Sequence, residues 1–261
     1  MQLERSLKVE ALKMVTMRSP WIMASILCIG MLALGVMDGI GIAQVGLDAT
    51  PETHPGLAEP IGPLEYIGTE LLSTGQVLLV IVGAILGAAE YRHHQLRTTF
   101  LDTTSRLSVL VTKWVVSLVF MVVISFIAAW LTFVGVQLGL GDVGLSPASL
   151  STTTWRLIAG SVLGWTVLGL ISQAVAMLCK TAIVPIVVLV PLGFGLGELL
   201  AGVWKPMRFF PTTVGNALYA SPVHPSDVGI SQAIIVLSIW LVIVLGATIV
   251  VLTRRDVGAR G

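Results

Sequence analysis

Six long apolar runs divide the chain, at about residues 21–42, 71–89, 114–138, 157–179, 182–204 and 233–252. Each is long enough for a helix to cross a hydrocarbon core, which takes about 20 residues. None alternates polar and apolar positions as a membrane barrel strand does. In lipid the backbone must satisfy its own hydrogen bonds, so the runs predict helices. Ahead of the first run, Leu3, Leu7, Ala11, Met14 and Val15 recur at helical spacing, and Glu4, Arg5, Lys8 and Lys13 sit mostly elsewhere around the axis. Residues 1–20 therefore predict an amphipathic helix lying on a membrane surface. Ser19-Pro20-Trp21 predicts the turn into the first span. The expected architecture is an all-α integral membrane protein, with residues 21–261 forming a six-helix transmembrane domain.

Composition agrees. Charged residues are 11% of the chain and hydrophobic residues 55%, with a mean hydropathy of +0.94. A soluble domain carries about 25% charge. Six spans leave no room for a second folded domain of ordinary size. The first run is too long for a signal-peptide core, and Glu4 and Glu10 precede it, so it reads as a retained span. Cys28 and Cys179 lie in separate apolar runs, which argues against a disulfide, and two cysteines make no metal site. A net charge of +1 gives no footprint for nucleic acid.

The charge distribution says more than the total. Twelve of the fifteen Lys and Arg residues fall in four segments: the N-terminal stretch, the connection after the second run, Lys180, and the C-terminus. The other side holds only Arg156, Lys205 and Arg208. The segment from Gln44 to Thr69 has neither Lys nor Arg and carries Asp48, Glu52, Glu59 and Glu65. The positive-inside rule then predicts both termini in the cytoplasm.

Three connections stand out. Residues 90–113 are densely polar and free of proline and glycine, which suits a helix of about two to three turns lying beneath the membrane. Lys180-Thr181 joins the fourth and fifth runs so tightly that the two must be antiparallel neighbours. The fifth run holds Pro185, Pro191, Gly193, Gly195 and Gly197, which predicts a broken helix. Residues 205–232, punctuated by four prolines, predict a re-entrant or interfacial hairpin. No first-half run is broken in the same way, which argues against an inverted-repeat carrier.

The lead-in "LKVEALKMVTMRSPW", the stretch "EYRHHQLRTTFLDTTSRLSVLVTK" and the ending "LTRRDV" together resemble the permease subunit of a type-2 ABC exporter, the ABC-2 type membrane proteins. The resemblance covers the whole chain and is most specific at Glu90–Lys113. It implies that this connection is a coupling helix seated in a separate ATPase subunit. It further implies two copies of each subunit, ATP and Mg bound by the partner, and a bacterial cytoplasmic membrane. Glu90, Arg92, His93, Arg97, Thr98 and Thr99 are then the ATPase-coupling candidates. His93-His94-Gln95 departs from relatives that carry a glycine or small polar residue near His94. The chain itself has no G-x-x-x-x-G-K-[ST] loop to cradle phosphates, and no catalytic, cofactor or metal residue is expected in it.

Each candidate has a plainer reading beside it. Glu90 either meets the ATPase or bridges locally to Arg92 or His94. The arginines also serve topology and lipid phosphates. His93 and His94 point about 100° apart on a helix and make no metal pair. Glu198 either faces the translocation path, which the resemblance places along the fifth span, or sits near the outer interface beside Lys205 or Arg208. Asp38 and Glu70 read as solvated span ends. Gln76, Gln173 and Asn216 complete the path candidates, with interhelical hydrogen bonding as the alternative for the two glutamines and for Ser172. Gly30, Gly35, Gly83, Gly87, Gly160 and Gly164 read as close helix packing. Sparse buried charge favours an amphipathic or hydrophobic cargo such as a drug, peptide or lipid. An ion-driven carrier or channel is the alternative to an ATP-driven exporter; a membrane enzyme built on Glu90, His93 and His94 is the weakest reading.

Overall fold

The computed structural model describes residues 2–57, 59–89, 91, 106–146, 150–222 and 226–254. Among them are nine α-helices and no strands. These are α1 (Gln2–Thr16), α2 (Arg18–Val45), α3 (Leu71–Ala89), α4 (Arg106–Leu140), α5 (Thr152–Cys179), α6 (Ile183–Pro191), α7 (Gly197–Val203), α8 (Pro211–Asn216) and α9 (Ile230–Arg254). Six stretches are long and apolar enough to cross a membrane: α2, α3, α4, α5, the α6–α7 pair and α9. The chain is therefore a multi-pass membrane protein. Its outward faces are apolar: Ile26 on α2 is 62% exposed and Val242 on α9 is 70% exposed, a belt suited to lipid rather than water.

The expected boundaries shift in two places. The turn ahead of the first span lies at Met17, whose ψ of 125° is extended, rather than at Ser19-Pro20-Trp21. Pro20 falls in the first turn of α2, where a missing N–H costs nothing. The third span begins at Arg106, so Arg106 and Lys113 belong to α4 and the connection before it narrows to residues 90–105. At 35 residues, α4 is about 52 Å long, which exceeds a core of about 30 Å. The helix is therefore longer than a core of that thickness.

α1 packs against the first turns of α4, near Lys113. The face it presents to α4 takes in only part of the aliphatic stripe. Leu7 and Met14 are half-buried and Glu10 is buried, whereas Ala11 and Val15 are exposed together with Leu12. Glu10 lies 2.7 Å from Lys13 and 3.8 Å from Lys113 of α4. The ion pair turns the helix so that its aliphatic side chains point outward.

Glycine sets how closely the spans approach. α2 and α4 run side by side and make the most extensive helix contact in the molecule. A Cβ on Gly35 would overlap the Thr132 carbonyl oxygen, and one on Gly39 the Val136 carbonyl oxygen. Reciprocally, a Cβ on Gly135 would lie 2.5 Å from the Leu32 oxygen, and one on Gly139 would overlap that of Val36. α3 and α5 repeat the arrangement, with Gly83 against Gly169 and Gly87 against Gln173. All four helices traverse the bundle in parallel pairs, α2 with α4 and α3 with α5. With no water to drive association, such backbone contact is what holds spans together. Gly160 and Gly164 instead make room for the 211–219 segment, at the Leu218 and Gly215 carbonyls.

Gly39→Val is expected to lower the melting temperature in detergent by the equivalent of about 1–3 kcal/mol, because the branched side chain meets α4 backbone. Gly30→Val, at a position with nothing within 4 Å, is expected to leave it unchanged. Scanning fluorimetry on both variants checks the contrast.

Candidate functional site

The fifth span breaks where its sequence predicts. α6 ends at Pro191, and Leu192–Leu196 form a π-type turn with Phe194 and Gly195 outside helical geometry. Gly195 has φ of +99°, which glycine adopts without strain. α7 then restarts at Gly197 with Glu198 in its first turn. Because the break redirects the helix, the Glu198 side chain turns toward the segment that follows it.

That segment folds back into the bundle. Lys205–Phe209 form a 3-10 turn, α8 follows, and Ala217–Tyr219 form another 3-10 turn. α8 and the turn after it pack on α5 and α9. Val214, Ala217, Leu218 and Tyr219 are buried. On one helical face, Asn216 and Tyr219 sit three residues apart and point the same way.

Here four polar side chains meet. The Asn216 Nδ2–H donates to Glu198 Oε1 at 2.8 Å. The Tyr219 hydroxyl lies 2.7 Å from Asn216 Oδ1 and 3.0 Å from Gln76 Oε1 of α3. Its single proton is thus shared between two acceptors. The Gln76 Nε2–H donates to the Thr212 carbonyl at 3.2 Å. Gln76 is fully buried and Tyr219 nearly so, and burial raises the pKa of the Tyr219 hydroxyl, so it stays a donor. Gly215 leaves the space: a Cβ there would sit 2.7 Å from Gln76 Oε1. The relay joins α3, α7 and α8, which otherwise share only local contacts.

Glu198 is also on the wall of a cavity of about 670 Å³. The cavity lies at the end of the bundle opposite α1, where α3 and α9 begin. Glu70 just ahead of α3, Ser73 of α3, Arg208, and Asp227 ahead of α9 line it along with Glu198 and Asn216. Glu198 makes no ion pair with Lys205 or Arg208; the Arg208 guanidinium instead stands 4.7 Å over the Phe209 ring. Glu70, read from sequence as a solvated span end, faces this cavity.

Of the four path candidates, three come together: Gln76, Glu198 and Asn216. Gln173 does not join them. Its Nε2–H donates to Ser117 Oγ of α4 at 2.9 Å, and the neighbouring Ser172 hydroxyl donates to the Val80 carbonyl of α3 at 2.7 Å. Both are fully buried and tie three spans together nearer the α1 end, as interhelical hydrogen bonding predicts. The six coupling candidates, Glu90, Arg92, His93, Arg97, Thr98 and Thr99, lie outside the described residues.

One residue of that stretch is described, and sequence reasoning passed over it. Tyr91 packs with Leu110 and Trp114 of α4, Met177 of α5 and Leu252 of α9. Its hydroxyl donates to the Met177 carbonyl. Tyr219 was likewise missed; its only sequence signal is the i, i+3 spacing from Asn216. No family model matches the chain, and no curated protein matches its sequence.

Tyr219→Phe removes the shared hydroxyl and leaves Gln76 Oε1 and Asn216 Oδ1 short of a donor. The expected cost is about 1–3 kcal/mol. Adding Gln76→Leu is expected to cost less than the two single changes summed, because the pair shares one contact. A double-mutant cycle on thermal stability measures this.

Proposed function

We propose that this chain is the membrane-spanning permease subunit of an ATP-driven exporter of the ABC-2 type. Two copies form the path, and two copies of a separate ATPase bind ATP and Mg. The protein sits in a bacterial cytoplasmic membrane with both termini in the cytoplasm. The cargo is an amphipathic or hydrophobic molecule such as a drug, peptide or lipid. Residues 90–105 form the coupling helix, and Glu90, Arg92, His93, Arg97, Thr98 and Thr99 meet the ATPase. Residues 205–232 form a re-entrant or interfacial hairpin.

The observation that carries this reading is the seat of Tyr91. The polar connection leaves α3 through a side chain wedged among α4, α5 and α9. A push on the connection is therefore delivered to four spans at once. Buried, close-packed side chains transmit displacement rather than absorb it. α3 ends two residues before Tyr91 and carries Gln76 near its other end, so the same helix reaches the polar relay beneath the cavity. A topological loop needs no such anchor.

Purification of tagged protein from its native host in mild detergent is expected to bring down an ATPase in equal amounts, as a two-plus-two complex. Arg97→Glu is expected to cut ATP-dependent transport at least tenfold (about 1.4 kcal/mol of coupling) while the chain still pairs with its second copy. Transport in vesicles without ATP, or coupled activity unchanged in both Arg97→Glu and Glu90→Ala, would overturn the exporter reading and favour an ion-driven carrier.

A further inference from the structure

We infer that the seam between α4 and α5 holds a buried water-binding site, at the hydroxyls of Ser125 and Thr166. The site lies apart from the cavity and the relay and does not depend on the transport reading. α4 against α5 is the widest contact between the two glycine-locked pairs. A water there puts a wet joint between pairs whose own contacts are backbone on backbone.

Three contacts fix the register of these antiparallel helices. The Gln173 Nε2–H of α5 donates to Ser117 Oγ of α4. One turn nearer the cavity end, a Cβ on Gly169 would stand 2.8 Å from Met121 Sδ. Farther on, the Trp155 and Phe126 rings stack with centroids 6.4 Å apart. Thr166 lies one turn beyond Gly169, and Ser125 one turn beyond Met121, so the two hydroxyls share a level between those contacts. Thr166 also lies two turns from Gln173 on the same face of α5, the face that meets α4.

Ser125 is fully buried and Thr166 is 3% exposed. Among the described residues neither hydroxyl has a hydrogen-bond partner, and neither does Gln173 Oε1. Other buried hydroxyls of the spans behave differently. Thr112, Thr132, Ser161 and Thr248 each donate to a carbonyl one turn earlier in their own helix. That outlet is equally open to Ser125 and Thr166, yet their hydroxyls are turned away from it and into the seam. A hydroxyl left dry in a packed interior is costly, and water settles where two or more such groups can hold it. Gln173 leans toward the Thr166 level, because helix side chains tilt toward the N-terminus, and so brings a third acceptor to the same stretch of seam. The chemistry selects water over a metal ion. All three groups are uncharged, and α4 and α5 run continuously through this level. No freed carbonyl is there to complete the shell of about six oxygens that a hard cation takes.

The sign of a stability change tests the site in the purified full chain. Valine has the shape of threonine without its hydroxyl. With water bound, Thr166→Val strips a partner from that water and is expected to lower the melting temperature by a few degrees. Were the hydroxyl dry, the same change would remove an unpaired polar group and raise it. Radiolysis reads the water directly. X-ray pulses on the protein in phosphatidylcholine nanodiscs split bound water into hydroxyl radicals, which oxidise the nearest susceptible side chain. Met121, fully buried and one turn from the site, is expected to become its sulfoxide in the native chain. Mass spectrometry is expected to find several-fold less of that product in the Ser125→Ala/Thr166→Val double variant. The native signal at Met121 decides the matter even if the double variant does not fold. A melting temperature that rises or stays put in Thr166→Val overturns the inference. So does Met121 oxidation that is absent from the native chain or equal in the two folded proteins.

Discussion

A polypeptide in hydrocarbon has no water to satisfy its polar atoms or to press its helices together, and both problems are solved here by backbone proximity. At Gly35, Gly39, Gly135 and Gly139 the backbones of α2 and α4 come so close that no side chain fits between them. At Gly83 and Gly87 the same is true of α3 against α5. These two parallel pairs form a frame that cannot slide without separating. Everything that departs from ideal helix lies outside it: the broken fifth span, the 211–219 segment and the cavity. The departures are tolerated because the frame does not depend on them.

The break in the fifth span follows from the same constraint. An interrupted helix frees backbone groups that must find partners, and a carboxylate set in an apolar run must be solvated or paired. The π-type turn at Leu192–Leu196 contains the first cost within a single turn. Glu198, exposed just beyond that turn, accepts from Asn216 and stands on the open cavity wall, which meets the second. A straight helix through Pro191 would leave the carboxylate no such place. The pattern of Pro191, Gly193, Gly195 and Gly197 and the position of Glu198 are thus one feature.

Six spans were legible in the sequence because hydrophobic run length is a local property. Glu198 stood out because a lone carboxylate in an apolar run is conspicuous by itself. What could not be read depends on pairing across long separations. Tyr219 and Gln76 are 143 residues apart, and nothing local says that they meet. Gln173 looked like Gln76, an amide within an apolar run, yet one ties α5 to α4 and the other floors the relay. The depth of each in the bundle and the way its helix faces separate the two. Glu10 is a further case: the aliphatic stripe of α1 was plain, but the ion pair that ties the helix to Lys113 of α4 spans about a hundred residues and was not.

The two ends of the molecule are joined by α3. At one end Tyr91, just beyond the helix, is fixed in an apolar cluster with α4, α5 and α9; at the other, Gln76 is fixed in the relay to Glu198. Between them α3 lies on α5 with carbonyl oxygens against glycine backbone at Gly83 and Gly87, leaving no compressible side-chain layer. Such contact couples α3 to α5 more tightly than a layer of side chains would. Their far ends carry Gln76 on α3 and, through the Gly160 contact on α5, the Leu218–Tyr219 turn. The Tyr219 proton divided between Gln76 and Asn216 is the weakest joint in that line, since one donor serves two acceptors and either contact can strengthen as the other lengthens. Motion arriving along α3 would be resolved there, beside the carboxylate on the cavity wall.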